Sequence, residues 1–158
     1  MPIEKLKTFL DREGIKYVVI SHSRAYTAQE AAASAHIPGR ELAKTVIVKL
    51  DGRMAMAVLP ASYHVDLEHL AEVAGADYAA IASEHDFSSL FPDCDTGAMP
   101  PFGNLYDMEV YVAESLTEDE EIAFAAGSHT ELLRMSFADF ERLVKPKVLA
   151  FSERTMPS

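Results

Sequence analysis

Residues 46–59 read Val46-Ile-Val-Lys-Leu50-Asp51-Gly52-Arg-Met54-Ala-Met-Ala-Val-Leu59. Two apolar runs flank an Asp-Gly pair, which accepts the positive φ angles that a two-residue hairpin demands. Val46 to Leu50 and Met54 to Leu59 are therefore expected to be antiparallel strands. Before them, Ile3, Leu6, Phe9 and Leu10 share one face of an opening helix that stops at Gly14, and Tyr17 to Ile20 reads as a strand. After them, Asp66 caps a helix that runs to Ala74 and ends at Gly75. Short strands are expected at Tyr78 to Ile81, Glu109 to Val112, Ile122 to Ala126, Leu132 to Met135 and Val148 to Phe151. Four segments fit the capping box, in which a Ser or Thr and an acidic residue three positions on satisfy each other's amides: Thr27 to Glu30, Ser83 to Asp86, Thr117 to Glu120 and Ser136 to Asp139. Hairpins outnumber strand-helix-strand units. The fold class is α+β, with a mixed, mostly antiparallel, barrel-like sheet flanked by helices.

Composition narrows the function. The chain has 158 residues, 49% hydrophobic and 25% charged, without repeats or a Gly/Ser linker, so one domain over residues 1–158 is expected. No apolar run is long enough to cross a bilayer or serve as a signal peptide, and the single cysteine, Cys94, forms no internal disulfide. A cytoplasmic protein is the expectation. A net charge of −11 excludes a generic basic coat for nucleic acid. The deficit is local, however: Met54 to Leu133 holds 16 Asp and Glu and no Lys or Arg, while residues 1–53 and 134–158 are each mildly basic. If the two ends meet, they form a weakly basic face on an acidic body.

Three places offer chemistry. Lys44 lies at the start of the strand Thr45-Val-Ile-Val48, where its ammonium can leave a sheet end for a cleft and hold a carbonyl or phosphate oxygen. Gly97-Ala-Met-Pro-Pro101-Phe-Gly103 forms a loop of restricted shape whose backbone can approach a ligand, with the amides of Gly97 to Met99 available to an oxyanion. Gly127-Ser-His129-Thr places a hydroxyl beside an imidazole between two predicted strands. Each has a plainer reading, as a solubilising lysine, a rigid turn and a polar turn. His64-x-Asp-x-x-His69 lacks the spacing that sets two imidazoles on one helical face, so no metal site is assigned. Asp93 and Asp95 oppose a reactive thiolate at Cys94. Neither a phosphate-binding glycine loop nor a hydrolase nucleophile elbow is present, and no cofactor is expected.

The order His22, Thr27-Ala-Gln-Glu-Ala-Ala, Glu41-Leu-Ala-Lys44-Thr-Val-Ile-Val, Gly97-Ala-Met-Pro-Pro101-Phe-Gly and Ala126-Gly-Ser-His129 resembles the YbaK-type aminoacyl-tRNA deacylases. These are freestanding relatives of the editing domain of bacterial prolyl-tRNA synthetases. The resemblance runs from about Ile3 to Phe151. It implies hydrolysis of the ester of a mischarged tRNA carrying a small amino acid such as Ala, Ser or Cys, with tRNA-Pro as a candidate carrier.

The family's lysine falls on Lys44, its glycine-x-x-x-proline loop on Gly97 and Pro101, and its glycine-serine-histidine turn on Gly127, Ser128 and His129. Catalysis is expected from Lys44, Gly97 and His129. Substrate contacts are expected from His22, Thr27, Thr45, Met99, Pro100, Pro101, Phe102, Gly127 and Ser128, with Met99, Pro100 and Phe102 as walls of a small pocket. Thr45 stands where some members carry Asn, which leaves the amino acid open. The partners implied are the acceptor end of a tRNA, held by Lys5, Lys7, Arg12, Lys16, Arg24, Arg40, Arg142, Lys145 and Lys147, and an aminoacyl-tRNA synthetase. Two other readings stay open: a binding module that senses aminoacyl-tRNA or an amino acid without hydrolysis, and a hydrolase of small esters unrelated to tRNA.

Overall fold

The computed structural model describes residues 4–22, 32–33, 35, 37–38, 41–95 and 97–154. The elements are α1 (Glu4–Arg12), β1 (Tyr17–Ser21), β2 (Leu42–Leu50), β3 (Arg53–Pro60), β4 (Tyr63–Val65), α2 (Leu67–Ala74), β5 (Ala79–Ile81), α3 (Glu84–Phe87), β6 (Glu109–Ala113), β7 (Glu121–Ala125), β8 (Glu131–Ser136), α4 (Phe137–Val144), β9 (Lys147–Leu149) and β10 (Ser152–Arg154). The expected hairpin is the centre of the molecule. β2 and β3 pair antiparallel from Ala43↔Pro60 to Leu50↔Arg53, and Asp51 and Gly52 take φ of 52° and 84° at the turn. Asp51 also locks the tip, since its carboxylate accepts the amides of Asp77 and Tyr78 at 2.9–3.1 Å.

Eight strands form one mixed sheet in the order β1-β8-β7-β2-β3-β6-β9, with β5 added on β2. β1–β8, β8–β7 and β2–β3 are antiparallel, whereas β2–β7, β3–β6 and β6–β9 are parallel. The parallel pairs join strands far apart in sequence, which a tight turn cannot do. One edge of β2 is shared. It takes β7 at Leu42 and Ala43 and β5 at Val48 to Leu50, so among the described residues no strand covers that edge at 44–47. Lys44 and Thr45 stand in this split.

Three apolar clusters surround the sheet. Ala43, Ile47, Met56, Val58, Phe102, Phe124 and Phe140 belong to one, covered by α1 and α4. On the opposite face, Val48, Leu50, Leu59 and Leu70 form a second with Phe151, and Leu42, Ala123 and Leu132 form a third with Ala32 and Ile37. Alternation along β2 explains the division, because successive side chains leave opposite faces.

Local signals held where a side chain enforces them. Asp66 caps α2 by accepting the His69 amide, and Gly75 ends it in the left-handed region. Ser83 and Asp86 make the reciprocal capping box at 3.0–3.2 Å, and Ser136 accepts the Asp139 amide at 3.0 Å. The Ser83 amide, then Lys49 at 3.1 Å and the Ser83 hydroxyl, hold the Asp86 carboxyl down to about 2. Because this folded value lies below the ordinary one, the stabilisation is complete at neutral pH and is lost as pH falls through the acid range toward 2. Ser83→Ala is expected to lower stability by about 1 kcal/mol, read from the urea-unfolding midpoint.

Two expectations are corrected. Thr117 opens no helix: residues Glu114–Glu118 form a 3-10 turn, and its hydroxyl donates back to the Glu114 carbonyl at 2.7 Å. Val148 to Phe151 is not one strand. β9 ends at Leu149, Phe151 is 1% exposed as a plug of the second cluster, and β10 then pairs with β4 in a separate two-stranded sheet. The Thr27 capping box lies outside the described residues.

Candidate active site

Two loops meet beyond the end of β7. The Asp95 amide donates to the Gly127 carbonyl at 2.8 Å, and the Gly127 amide donates to Ala98 at 2.9 Å. The His129 amide donates to the Asp95 carboxylate at 3.2 Å. The His22 amide donates to the Thr130 carbonyl at 2.9 Å, so the end of β1 joins the same corner. Gly97, at φ +86°, lies so close that a Cβ there would sit 3.7 Å from the His129 ring. Gly97, Gly127, Ser128, His129 and His22 thus come together at one corner. Asp95, which the sequence reading passed over, is the clamp between the loops. Asp95→Ala is expected to cost about 1 kcal/mol, measured as a lower unfolding midpoint.

Ser128 is occupied by its own turn. Its hydroxyl lies 3.3 Å from that of Thr130 and accepts the Thr130 amide at 3.4 Å. That makes it a shaper of the turn.

Lys44 is placed by register. β7 runs parallel to β2 with Ala43 opposite Phe124, so the turn that carries His129 begins just past the level of Lys44. The Lys44 side chain leaves β2 on the face of Leu42 and Val48, at the seam between the second and third clusters. It is half-buried, and burial lowers its pKa from the ordinary 10.5, with no charged group contributing among the described residues. A partly desolvated ammonium without a counter-charge binds anionic or carbonyl oxygen more strongly than an exposed lysine does. Its neighbour Thr45 holds a buried hydroxyl with no hydrogen-bond partner.

The proline loop behaves differently from the expectation. Gly97 is exposed, but Pro100 and Pro101 are buried, Met99 is 4% exposed and Phe102 is 0% exposed. Phe102 packs its ring at 5.5–6.2 Å from Phe9, Phe124 and Phe140, so it anchors the loop in the core and lines no open pocket. Met99 and Phe102 belong to the α1 side of the sheet, opposite the face Lys44 takes. The Ala98 amide is also spent, donating to the Asp95 carbonyl at 3.0 Å.

The basic residues divide. Arg142 pairs with Asp139 at 3.3 Å, and Lys147 lies 3.9 Å from Glu109, which Arg53 also approaches. Lys145 is the left-handed cap of α4. Lys16 precedes β1 at the end remote from His22. Lys5 lies 4.6 Å over the Tyr106 ring, Arg12 5.7 Å over Phe9, and Lys7 is exposed on α1. The chain ends do approach, since Phe9 of α1 and Phe140 of α4 both pack on Phe102. Thr27, Arg24 and Arg40 lie outside the described residues. Among the described residues no group of three or more His, Cys, Asp or Glu is placed to hold a metal, and no helix is long and apolar enough to cross a membrane. Burial first, then Asp93 and Asp95, raises the Cys94 thiol, against the lowering effect of Tyr106 and Lys5.

A solved structure described as hypothetical protein APE2540 superposes with a TM-score of 0.84 at 21% identity, over 95% of this chain and all of its own. A candidate trans-editing enzyme for prolyl-tRNA synthetase gives 0.79 at 20% identity, over 94% and 95% of the two chains. A candidate signal transduction protein from Marinobacter aquaeolei VT8 gives 0.73 at 19% identity, over 94% of this chain and 30% of its own. No curated protein sequence matches. Those likenesses show the fold, and the family model described as an aminoacyl-tRNA editing domain matches residues 22–143, which contain Lys44, the Gly97 loop and the His129 turn. The chain belongs to the aminoacyl-tRNA editing domain family.

Proposed function

We propose that the protein is a trans-editing deacylase that hydrolyses the ester of a tRNA mischarged with a small amino acid such as Ala, Ser or Cys, with tRNA-Pro as the carrier to try first. The observation that carries this reading is Lys44, a half-buried ammonium lowered by desolvation alone, standing where the sheet splits and one residue level below the His129 turn. An aminoacyl ester is already activated, so a positioned water needs orientation and charge stabilisation more than a protein nucleophile.

In this reading Lys44 binds the acyl carbonyl oxygen or the terminal ribose, and the exposed amide of Gly97 receives the negative charge that grows on that oxygen. Water adds to the carbonyl carbon. The tetrahedral adduct then collapses by breaking the bond to the ribose oxygen, which takes up a proton and leaves free amino acid and tRNA. The ribose's own neighbouring hydroxyl assists the attacking water, and His129, clamped through Asp95, orients the ribose. A synthetase partner raises the effective concentration of the charged tRNA. Selection by size needs a closed pocket, since a missing methylene alone discriminates by about 1–3 kcal/mol. With Phe102 and Met99 in the core, that closure falls to residues around Lys44 and His22.

The test is a deacylation panel in which one tRNA carries Ala, Ser, Cys, Pro or Phe. Faster release of the small residues than of Pro and Phe is expected. Equal release of all five would remove the size selection, and turnover of none would remove the enzyme.

A further inference from the structure

A cleft of about 410 Å³ lies along α1, lined by Glu4, Lys5, Thr8, Phe9, Arg12 and Leu105. Lys5, Thr8 and Arg12 are spaced by three and four residues, which sets them on one stripe of the helix, with the two cations about 10 Å apart along its axis. Each cation lies against an aromatic ring, Lys5 over Tyr106 at 4.6 Å and Arg12 over Phe9 at 5.7 Å. Neither forms an ion pair among the described residues, in contrast to Arg142 and Lys147. Glu4 is the one carboxylate among the lining residues.

This cleft is tied to the site by a short path. Tyr106, under Lys5, has its hydroxyl 3.6 Å from the Cys94 sulfur, and the next residue, Asp95, holds the Gly127 carbonyl and the His129 amide. Leu105 and Tyr106 belong to the stretch that follows the Gly97 loop. Cleft and His129 turn thus lie on either side of the segment that holds Asp95, while Lys44 leaves the sheet on the face opposite α1, so a strand seated on α1 has to turn round that segment to bring its ester to Lys44.

We infer that the α1 cleft is the backbone subsite for the RNA strand that carries the ester, with Lys5 and Arg12 on phosphate oxygens, the Thr8 hydroxyl as a third donor, and the exposed edge of Phe9 beneath a sugar or base. The identity of the RNA rests on the editing reading. Two cations without ion pairs among the described residues, one phosphate step or more apart, with a hydroxyl between them and a ring beside them, match the pattern by which single strands are gripped. The acidic middle of the chain, residues 54–133 with 16 Asp and Glu and no Lys or Arg, disfavours RNA elsewhere on the body. Of the nine cations expected to hold tRNA, two carry the contact and the paired ones do not.

The experiment is fluorescence anisotropy of a labelled RNA hairpin ending in a single-stranded CCA tail, titrated with the full chain at several salt concentrations. It reads binding without turnover, so its failure is separable from that of the deacylase reading. Lys5→Glu and Arg12→Glu should each weaken binding several-fold and flatten the slope of log K against log salt by about 0.7–1. Glu4→Lys should tighten binding and steepen that slope, a gain that misfolding cannot produce. Unchanged affinity in all three variants would overturn the assignment. So would an equal grip on a poly-glutamate peptide, which would make the cleft a general anion site and not an RNA subsite.

Discussion

Replacing Lys44 with Ala is expected to lower deacylation by about 10²–10³-fold, the loss typical of removing one donor from a charge-stabilising site. The folded protein should survive the change. Lys44 is half-buried with no charge to answer it, so its removal relieves a desolvation cost while it deletes aliphatic packing, and the unfolding midpoint should move by less than about 1 kcal/mol. Activity and stability should also part company with pH. The folded pKa of Lys44 lies below 10.5, so between that folded value and 10.5 the unfolded chain binds more protons, and stability rises with pH through the window. Activity that needs the ammonium falls through the same window. A rate profile corrected for spontaneous ester hydrolysis should therefore lose its alkaline limb earlier than an exposed lysine would, and Lys44→Arg should shift that limb upward.

The second large effect is structural. Phe102→Ala is expected to cost about 3–5 kcal/mol, because the ring is fully buried between α1, β7 and α4 and its loss leaves a cavity that three other rings cannot fill. The change also frees the loop that ends in Gly97 from its anchor. Gly103, next in sequence, has no slack to take up the strain: a Cβ there would overlap the Met108 carbonyl oxygen and approach Val110 to 2.6 Å. Denaturant unfolding checks the stability. The deacylation rate of the folded fraction checks whether loop position matters to the chemistry, and a loss larger than the unfolded fraction accounts for is the expected result.

The contrast between Phe102 and Lys44 shows what a sequence can reveal here. Val46 to Leu50, Asp51-Gly52 and Met54 to Leu59 announced their hairpin because turn chemistry and apolar runs are local, and Asp66, Ser83 and Gly75 announced helix ends for the same reason. The loop order around Lys44, Gly97 and His129 was legible through its resemblance to a family. Which side of the loop faces a ligand was not. Pro100, Pro101 and Phe102 are apolar in either case, and only the three-dimensional neighbours Phe9, Phe124 and Phe140 make Phe102 a core residue. The parallel pairing of β2 with β7 and of β3 with β6 depends on contacts between residues more than 50 positions apart, and no local signal carries it. β4 and β10 are three residues each, too short for an alternation to show. Asp95 was read only as a neighbour of Cys94, since a carboxylate that clamps a turn more than thirty residues away has no signature in its own surroundings.

Charge followed a similar course. The basic ends of the chain do approach each other across Phe102, yet Arg142 and Lys147 pair with Asp139 and Glu109, whereas Lys5 and Arg12 of α1 form no ion pair among the described residues.

The central claim, that this site breaks an aminoacyl ester and does more than bind it, is tested most directly by single-turnover rapid quench of alanyl-tRNA with the protein in excess. The expected result is a first-order loss of the ester whose rate saturates with protein concentration and falls at least about a hundredfold in Lys44→Ala. Saturable binding of the same alanyl-tRNA with its ester left intact would contradict it.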